Sequence, residues 1–278
     1  MKSGKTTKRS IIAKAKSLGA SLVNFAPVSR WEEFGEVLPE YRPKALWDKA
    51  ETVIVIAVPM LLPVLESTPS INYQEMYNAT NSLLDQIGFR LSVWLNDRGH
   101  ASIFMPRDGY GNLEILLNKY QGCFSHVFAA KYAGQGTIAY SHNLITPEYG
   151  PRVRMVSILT SLKIAGDPLI EKDVCTKCEV CRKLCPSSSF TTRPDSIIAE
   201  MDVDACTRYH QVLRGENRWP CGICCKVCPV GGDRKLYEST NIGRYLRERE
   251  VLDENPEDEN YRSWVHQRQH GSSGNRIY

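Results

Sequence analysis

The sequence lacks a long uninterrupted apolar run. The longest uncharged apolar stretch, residues 53–65, contains Pro59 and Pro63, whereas a membrane-spanning helix needs about 20 apolar residues. Seven Lys or Arg residues precede the first acidic residue, Glu32, but no apolar segment or small-residue cleavage site follows them. We therefore expect no membrane span, no secretory signal and a cytoplasmic location.

A strong excess of charge of one sign is also missing. Lys and Arg number 35 and Asp and Glu 31, which gives a net charge of +4. This excess is too small to indicate nucleic-acid binding, which normally shows as a concentrated basic patch; the alternative is a solvated basic helix face. With 42% hydrophobic and 24% charged residues, the 278-residue chain has the composition of a folded globular protein, with room for two domains.

The first part of the chain alternates between helical and strand patterns. Apolar residues recur at helical spacing in residues 6–18, where Gly19 provides a stop, and then in residues 73–96, 113–120 and 125–132. Short apolar or β-branched runs predict strands at residues 21–28, 52–58, 101–105 and 153–159. The second of these is suited to a sheet buried on both faces. We therefore predict an α/β (α+β) domain over residues 1–167.

Cysteines dominate the next part of the chain. Of the ten cysteines, eight lie at the ligand spacings described below, between Cys175 and Cys228. Reducing compartments keep thiols free, so this clustering indicates metal binding and not disulfides. We predict a cluster-organised module over residues 168–235, followed by a charged tail over residues 236–278.

The cysteine spacing is that of a two-cluster ferredoxin. Cys175, Cys178, Cys181 and Cys185 form C-x2-C-x2-C-x3-C before Pro186, and Cys221, Cys224 and Cys228 repeat the end of this run before Pro229, with Cys206 displaced upstream. In such ferredoxins the fourth cysteine of a run ligates the other cluster. We therefore assign one 4Fe–4S cluster to Cys175, Cys178, Cys181 and Cys228, and the other to Cys185, Cys206, Cys221 and Cys224.

Alternatives to this assignment remain. Paired C-x2-C motifs also build zinc sites, although these usually lack a third cysteine at the same spacing and a following proline. Cys225 forms C-x2-C with Cys228, so a shifted ligand register is possible. We interpret Cys225 and Cys123 as spare thiols, typically small buried hydrophobic residues.

Both cysteine sets, together with the segment ITPEYGPRVR at residues 145–154, resemble the epoxyqueuosine reductase and reductive dehalogenase superfamily. The resemblance spans roughly residues 10–235. It implies a cobalamin-binding, nitroreductase-like α/β domain followed by a ferredoxin-like module with two 4Fe–4S clusters. It also implies that the turn and loop of residues 133–145 line a corrinoid. Its candidate cofactor-binding residues here are Gly134, Gly136, Thr137, Asn143, Leu144 and Arg152.

A glycine-rich turn between a helix and a strand would equally explain Gly134 and Gly136. Arg152 and Arg154 could bind a corrinoid side chain or phosphate, or simply flank a strand.

Asp108 and Tyr110 are the candidate catalytic residues. They lie in the segment PRDGYG at residues 106–111, where the resemblance places a proton donor, and the glycines suit a loop over a pocket. The alternative is that Asp108 and Gly109 form an ordinary turn. His126, Tyr140 and His142 could line the same cavity, although a single histidine is more often a satisfied core or surface residue.

These observations predict an iron-sulfur oxidoreductase, corrinoid-dependent, acting on a small molecule or modified nucleoside with electrons from a low-potential donor. A second hypothesis is a non-catalytic electron carrier that reduces a corrinoid-protein partner, with Trp264, His266, Arg268 and His270 of the tail forming a docking surface. A third is epoxyqueuosine reductase itself. The tail is shorter than the extension usual in that enzyme, so tRNA is not the favoured substrate.

Overall fold

The computed structural model describes residues 6–277, so Lys2 and Lys5 of the basic N-terminus lie outside it, as does the last residue of the predicted tail. The part of the chain up to residue 167 is a mixed α/β structure, as predicted. Its elements, in chain order, are α1 (Lys8–Ser17), β1 (Leu22–Pro27), α2 (Ser29–Phe34), a 3₁₀ turn (Pro39–Tyr41), α3 (Pro43–Leu46), β2 (Thr52–Pro59), α4 (Leu62–Leu65), α5 (Ile71–Asn96), β3 (Ser102–Met105), α6 (Leu113–Asn118), α7 (His126–Tyr132), β4 (Thr137–Ile138), β5 (Leu144–Ile145) and β6 (Val153–Thr160).

Four strands form one antiparallel sheet in the order β1-β2-β6-β3. Strand β2 is buried on both faces, as its β-branched run predicts: Val53 and Val55 point into one apolar cluster, Ile54 and Ile56 into the other. The sheet therefore lies between two layers of helices, with α7 on the first side and α1 and α5 on the second.

The two helices on the second side follow their apolar periodicity. Helix α1 begins after a capping box between Thr7 and Ser10, and it ends before Gly19, whose φ of +108° confirms the predicted stop. Helix α5 is capped by Ser70, whose Oγ accepts the backbone N–H of Tyr73 at 3.2 Å. It packs across β2, β3 and β6.

The cysteine part has short elements: α8 (Val180–Lys183), β7 (Phe190–Thr191), β8 (Glu200–Met201), α9 (Val203–Gly215), α10 (Ile223–Lys226), α11 (Asp233–Leu236), α12 (Gly243–Glu254) and α13 (Arg262–Gln269). The predicted tail is largely helical. Leu252 and Trp264, from α12 and α13, share an apolar cluster with Val180 and Val227 of the cysteine module. The tail therefore completes the core of that module.

This packing corrects the docking hypothesis for the tail. Trp264 and Arg268 are 5% and 1% exposed, because Trp264 packs in the apolar cluster of tail and module and Arg268 donates to the Ser67 carbonyl of the α/β part, so they cannot offer a docking surface. His266 and His270 are exposed, with rings stacked 4.2 Å apart. Over residues 6–277, we found no helix with the length and apolar character needed to cross a bilayer.

Candidate functional site

The structure brings the eight predicted cysteines together in two sets, which we name the first and second thiol groups. The first contains Cys175, Cys178, Cys181 and Cys228; the second contains Cys185, Cys206, Cys221 and Cys224. A small cavity is lined by all four thiols of the first group and by Cys224. A larger one is lined by all four thiols of the second group and also by Cys181 and Cys225.

Electrostatic coupling links thiols within each group and also across the two groups: burial raises the pKa of Cys181 to about 12, and Cys224 adds more to the rise than Cys228 does. Burial and then the neighbouring Cys224 and Cys185 raise the pKa of Cys206 to about 12. In the first group, burial raises the pKa of Cys228 to about 11, and Cys175 and Cys178 add to the rise. The coupling therefore crosses between the two sequence runs.

All ten cysteines are free thiols. Among residues 6–277, no set of three or more His, Cys, Asp or Glu side chains is arranged so that it could hold a metal ion. Cys225 is buried beside Met60 and Tyr73, as expected for a spare thiol. Cys123 is instead exposed, because it follows a surface loop; its predicted burial is wrong.

Two cavities meet where the α/β part faces the second thiol group. The first cavity has a volume of about 580 Å³ and is lined by the α/β part, including Asp108 and His126. The second, of about 320 Å³, lies between the two parts of the chain. Tyr110 and Arg154 line both. These volumes are typical of small-molecule and cofactor sites.

Asp108 and Tyr110 both reach this region, as predicted. Asp108 Oδ1 accepts a 2.6 Å hydrogen bond from Arg154 Nη2, whose guanidinium also lies 4.5 Å from the ring centre of Tyr77. Burial, with Tyr77 and Asp108 adding to it, raises the pKa of Tyr110 well above its ordinary value. The Tyr110 phenol therefore keeps its proton at neutral pH.

The other polar candidates are already engaged. His126 bonds Ser157 Oγ at 2.9 Å and the Pro106 carbonyl at 2.8 Å, and burial lowers its pKa to about 4. It is a satisfied core histidine at the edge of the first cavity. The hydroxyl of Tyr140 lies 2.8 Å from Thr192 Oγ1, whereas His142 lines the second cavity.

The two glycines allow close backbone packing. A Cβ atom on Gly134, whose φ is +74°, would lie 1.9 Å from the Pro168 carbonyl oxygen. One on Gly136 would lie 2.3 Å from the Ile145 carbonyl oxygen. Gly134 therefore lets the turn before β4 pack against residue 168, whereas Gly136 lets the chain before β4 approach β5 within the hairpin.

Thr137 and Leu144, also on this hairpin, are buried. Thr137 Oγ1 accepts the Val174 N–H at 3.1 Å. The hairpin is thereby tied to the segment that leads into the first thiol group.

Residues 139–143, which we name the hairpin loop, lie against the thiols. The Tyr140 N–H points to Cys175 Sγ at 3.5 Å, and Asn143 Nδ2 donates to Cys224 Sγ at 3.4 Å. Of the predicted cofactor-binding residues, Asn143 is the one that both lines the second cavity and contacts a thiol.

Arg152 joins the two parts of the chain. Its side chain is fully buried and pairs with Asp233 through two 2.6 Å contacts. Its remaining N–H groups donate to the carbonyls of Cys225 and Cys228 at 3.2 Å and of Val230 at 2.6 Å. All five guanidinium N–H groups are thus used by protein acceptors, and none is left for a cofactor.

Sequence reasoning missed His210. It lies on α9 one turn after Cys206, and its ring lines the second cavity, where burial lowers its pKa to about 4. Its spacing of four residues from a predicted ligand was the available signal, because such residues share a helix face.

A loop over residues 109–122 walls the first cavity. Its ends meet where Gly109 and Gly122 approach, with the Cys123 N–H donating to the Gly109 carbonyl at 2.8 Å. Its far side reaches the cysteine part, where the Tyr120 hydroxyl donates to Asp204 Oδ1 at 2.7 Å. Both parts of the chain therefore enclose this site.

Comparison with known proteins shows which enzymes this chain is similar to. The tetrachloroethene reductive dehalogenase of Sulfurospirillum multivorans is 26% identical over 199 residues, which cover 64% of this chain and 35% of that protein. The epoxyqueuosine reductase of Bacillus subtilis is 30% identical over 115 residues, 39% of this chain and 29% of that one. The chain thus spans about a third of the length of these curated relatives. No family model matches it.

Solved structures give the same two groups. The catabolic reductive dehalogenase NpRdhA, in complex with 3-bromo-4-hydroxybenzoic acid, aligns with a TM-score of 0.63 at 19% identity, covering 88% of this chain and 35% of that one. An epoxyqueuosine reductase with a modified tRNA-Tyr stem loop aligns with a TM-score of 0.55 at 21% identity, covering 80% and 64%. The relatives are reductases, and the resemblance to the epoxyqueuosine reductase and reductive dehalogenase superfamily is confirmed.

Proposed function

We propose that this chain is an iron-sulfur oxidoreductase that uses a corrinoid to carry out reductive chemistry on a small molecule or modified nucleoside. The observation that carries the proposal is the second cavity. It places the second thiol group on one side and Tyr110 and Arg154 of the α/β part on the other.

Two 4Fe–4S clusters are supported by the cysteine spacing and by the cavities that the thiols line, although the thiols of residues 6–277 are not already arranged around a metal site. Each thiol group offers four cysteines drawn from both sequence runs, which is the arrangement of a two-cluster ferredoxin. When assembled, the clusters supply electrons one at a time. Cys178 in the first group is exposed and Cys221 in the second is buried, so we place the low-potential donor at the first group.

A corrinoid is larger than the second cavity alone, so we place it across both cavities, which share Tyr110 and Arg154 and offer polar side chains beside the thiols. Asn143, Tyr110 and Arg154 would hold the group, and the β4–β5 hairpin with Gly134, Gly136, Thr137 and Leu144 would support this wall. When bound, a corrinoid supplies a cobalt centre with strong reducing power. Arg152 would not contact the corrinoid; it would hold the cysteine part against the α/β part through Asp233 and the carbonyls of Cys225 and Cys228.

The protein itself supplies the proton. Tyr110 lines both cavities, so its phenol is positioned to donate a proton to a substrate held at their junction. Asp108 orients Arg154 beside it through the 2.6 Å ion pair. We propose Tyr110 as the proton donor and Asp108 as the carboxylate that pairs with Arg154 and fixes the position of its guanidinium.

Anaerobic purification followed by cobalamin titration tests the proposal. We expect about eight irons per chain, with a brown colour, and a base-off cobalamin spectrum on titration. Zinc in place of iron would overturn the redox function. Full iron content without cobalamin binding at high micromolar concentration would favour the electron carrier.

One observation favours epoxyqueuosine reductase activity as a second candidate: relatives from that enzyme reach 30% identity, and a solved one holds a tRNA stem loop. Binding of tRNA that weakens steeply with salt would support this candidate. A lack of tRNA binding at low salt would leave the small-molecule reductase.

A further inference from the structure

We infer that Asn143 sets the reduction potential of the cluster held by the second thiol group, through a hydrogen bond from the α/β part to the sulfur of Cys224. The inference rests on the proposed function, since it needs an assembled cluster there. It concerns a different property from substrate reduction, namely the potential at which the second cluster accepts its electron.

The contact is direct. Asn143 Nδ2 donates to Cys224 Sγ at 3.4 Å, within hydrogen-bond range for a sulfur acceptor. The same nitrogen lies 3.1 Å from Ser141 Oγ and 3.3 Å from the Ser141 carbonyl, so the amide is held with its N–H groups toward the loop and the thiol. The amide group is thus oriented before any cluster is present.

The hairpin loop that carries Asn143 is fixed at several points. The Ala199 N–H donates to the Tyr140 carbonyl at 3.1 Å, and the His142 ring bonds the Ala199 carbonyl at 2.8 Å. Strands β4 and β5 pair on either side of it. A side chain on so constrained a loop keeps its contact as the charge beside it changes.

A hydrogen bond to a ligand sulfur favours the more negative state of a cluster. Reduction adds one negative charge, part of which lies on the ligand sulfurs, so an N–H donor stabilises the reduced form more than the oxidised form. Asn143 should therefore raise the potential of the second cluster. Burial of the neighbouring Cys221 strengthens this effect, because little water competes for the sulfurs.

The first cluster should not depend on this side chain. The hairpin loop contacts the first thiol group through the backbone N–H of Tyr140, at 3.5 Å from Cys175 Sγ. A substitution of Asn143 leaves that donor in place. The inference therefore predicts a change at one cluster alone.

The test is an EPR-monitored redox titration of the anaerobically reconstituted protein. Asn143→Leu removes the donor, and Asn143→Asp keeps the shape but places a negative charge beside the sulfur. We expect the midpoint of the second cluster to move to a more negative potential in both variants, further in the Asp variant, with the first unchanged. Asn78→Ala, an exposed asparagine on α5, is the matched control.

The Cys175→Ala variant, which keeps only the second thiol group complete, identifies which midpoint belongs to which cluster. Iron content separates the possible outcomes. Variants that hold about eight irons with both midpoints unmoved, or with only the first moved, would overturn the inference while leaving the proposed function standing. A wild-type protein without iron would overturn both. If Asn143→Leu loses its iron, the midpoint of the second cluster in the isosteric Asn143→Asp variant tests the inference instead.

Discussion

The two parts of the chain are stabilised in different ways. In the α/β part, the central strands are enclosed by apolar side chains, and residues such as Ile54 and Ile158 are fully buried. In the cysteine part, buried positions also hold cations: Arg234 and Lys226 are 2% and 1% exposed, and Arg152 enters from the α/β part. Apolar clusters stabilise both parts, but the cysteine part also buries cations, and the carboxylates that pair with them offset the cost of removing these charges from water.

Of the changes considered, loss of one thiol should have the largest effect, a loss of iron that is confined to the cysteine part. Cys206→Ala should lower the iron content from about eight to about four per chain, because one group then lacks a ligand. Cys123→Ala, at an exposed thiol outside both groups, is the control and should retain all the iron. Iron and sulfide assays measure the difference. Equal loss from both variants would contradict the assignment.

The crossing of ligands between the two sequence runs gives a sharper version of this prediction. Cys228→Ala should remove the same EPR signal as Cys178→Ala, because both belong to the first thiol group. A Cys228→Ala spectrum that matches Cys206→Ala instead would show that the runs do not cross.

Removal of Arg152 should disrupt the cysteine part more than the sheet. Arg152→Met leaves Asp233 buried without its partner, which typically costs about 3–5 kcal/mol. When denaturation is monitored by cluster absorbance, the midpoint should shift to a lower denaturant concentration. The circular dichroism of the sheet and helices should change at a higher concentration. Adding Asp233→Leu should recover part of the lost stability, since the unpaired Asp233 carboxylate is then no longer buried. If the double variant is no more stable than the single one, the ion pair is not the cause.

Acid should weaken the α/β part through His126. Its pKa is about 4 in the folded chain against 6.5 ordinarily, so between these values the unfolded chain binds the extra proton. The stability that this difference gives is complete above about pH 6.5 and is lost toward about pH 4, roughly 3 kcal/mol in all. His126→Gln should show a shallower fall of unfolding free energy over this window. A slope equal to that of the wild type would contradict the assignment.

A small change in the sheet should leave the clusters intact. Ile54→Val removes one buried methylene from β2, with an expected loss of about 0.5–1.5 kcal/mol. Iron content should equal that of the wild type, because no thiol contact changes. Thermal unfolding and an iron assay together test this, and loss of iron in Ile54→Val would show that the two parts do not differ as described.

Features of both parts that depend on neighbouring residues could be predicted from the sequence. The stop at Gly19, the doubly buried β2 and the long helix α5 were predicted because helix and strand periods are local signals. The two thiol groups were predicted because ligand spacing is also local. All eight predicted cysteines line the two neighbouring cavities, and their division into two clusters stays a prediction.

Contacts between distant segments could not be predicted. Arg152 meets Asp233 across 81 positions, and nothing near either residue indicates the pair. The charged tail showed no strong apolar period, yet Trp264 is buried against residues of the cysteine module. The alternative of a tight turn at Gly134 and Gly136 could be read from the sequence, but their partners, Pro168 and Ile145, became visible only in three dimensions.

The loop closed by Gly109 and Gly122 has a consequence for how this architecture can diversify. Its two ends join through one backbone hydrogen bond, and the entropy cost of closing a loop rises only slowly with length. Changes in the length of this loop therefore leave the four-stranded sheet in place, and they act on the cavity wall that carries Tyr110 and on the contact between Tyr120 and Asp204. Proteins that share this fold can therefore differ in substrate range through this loop, because it walls the first cavity.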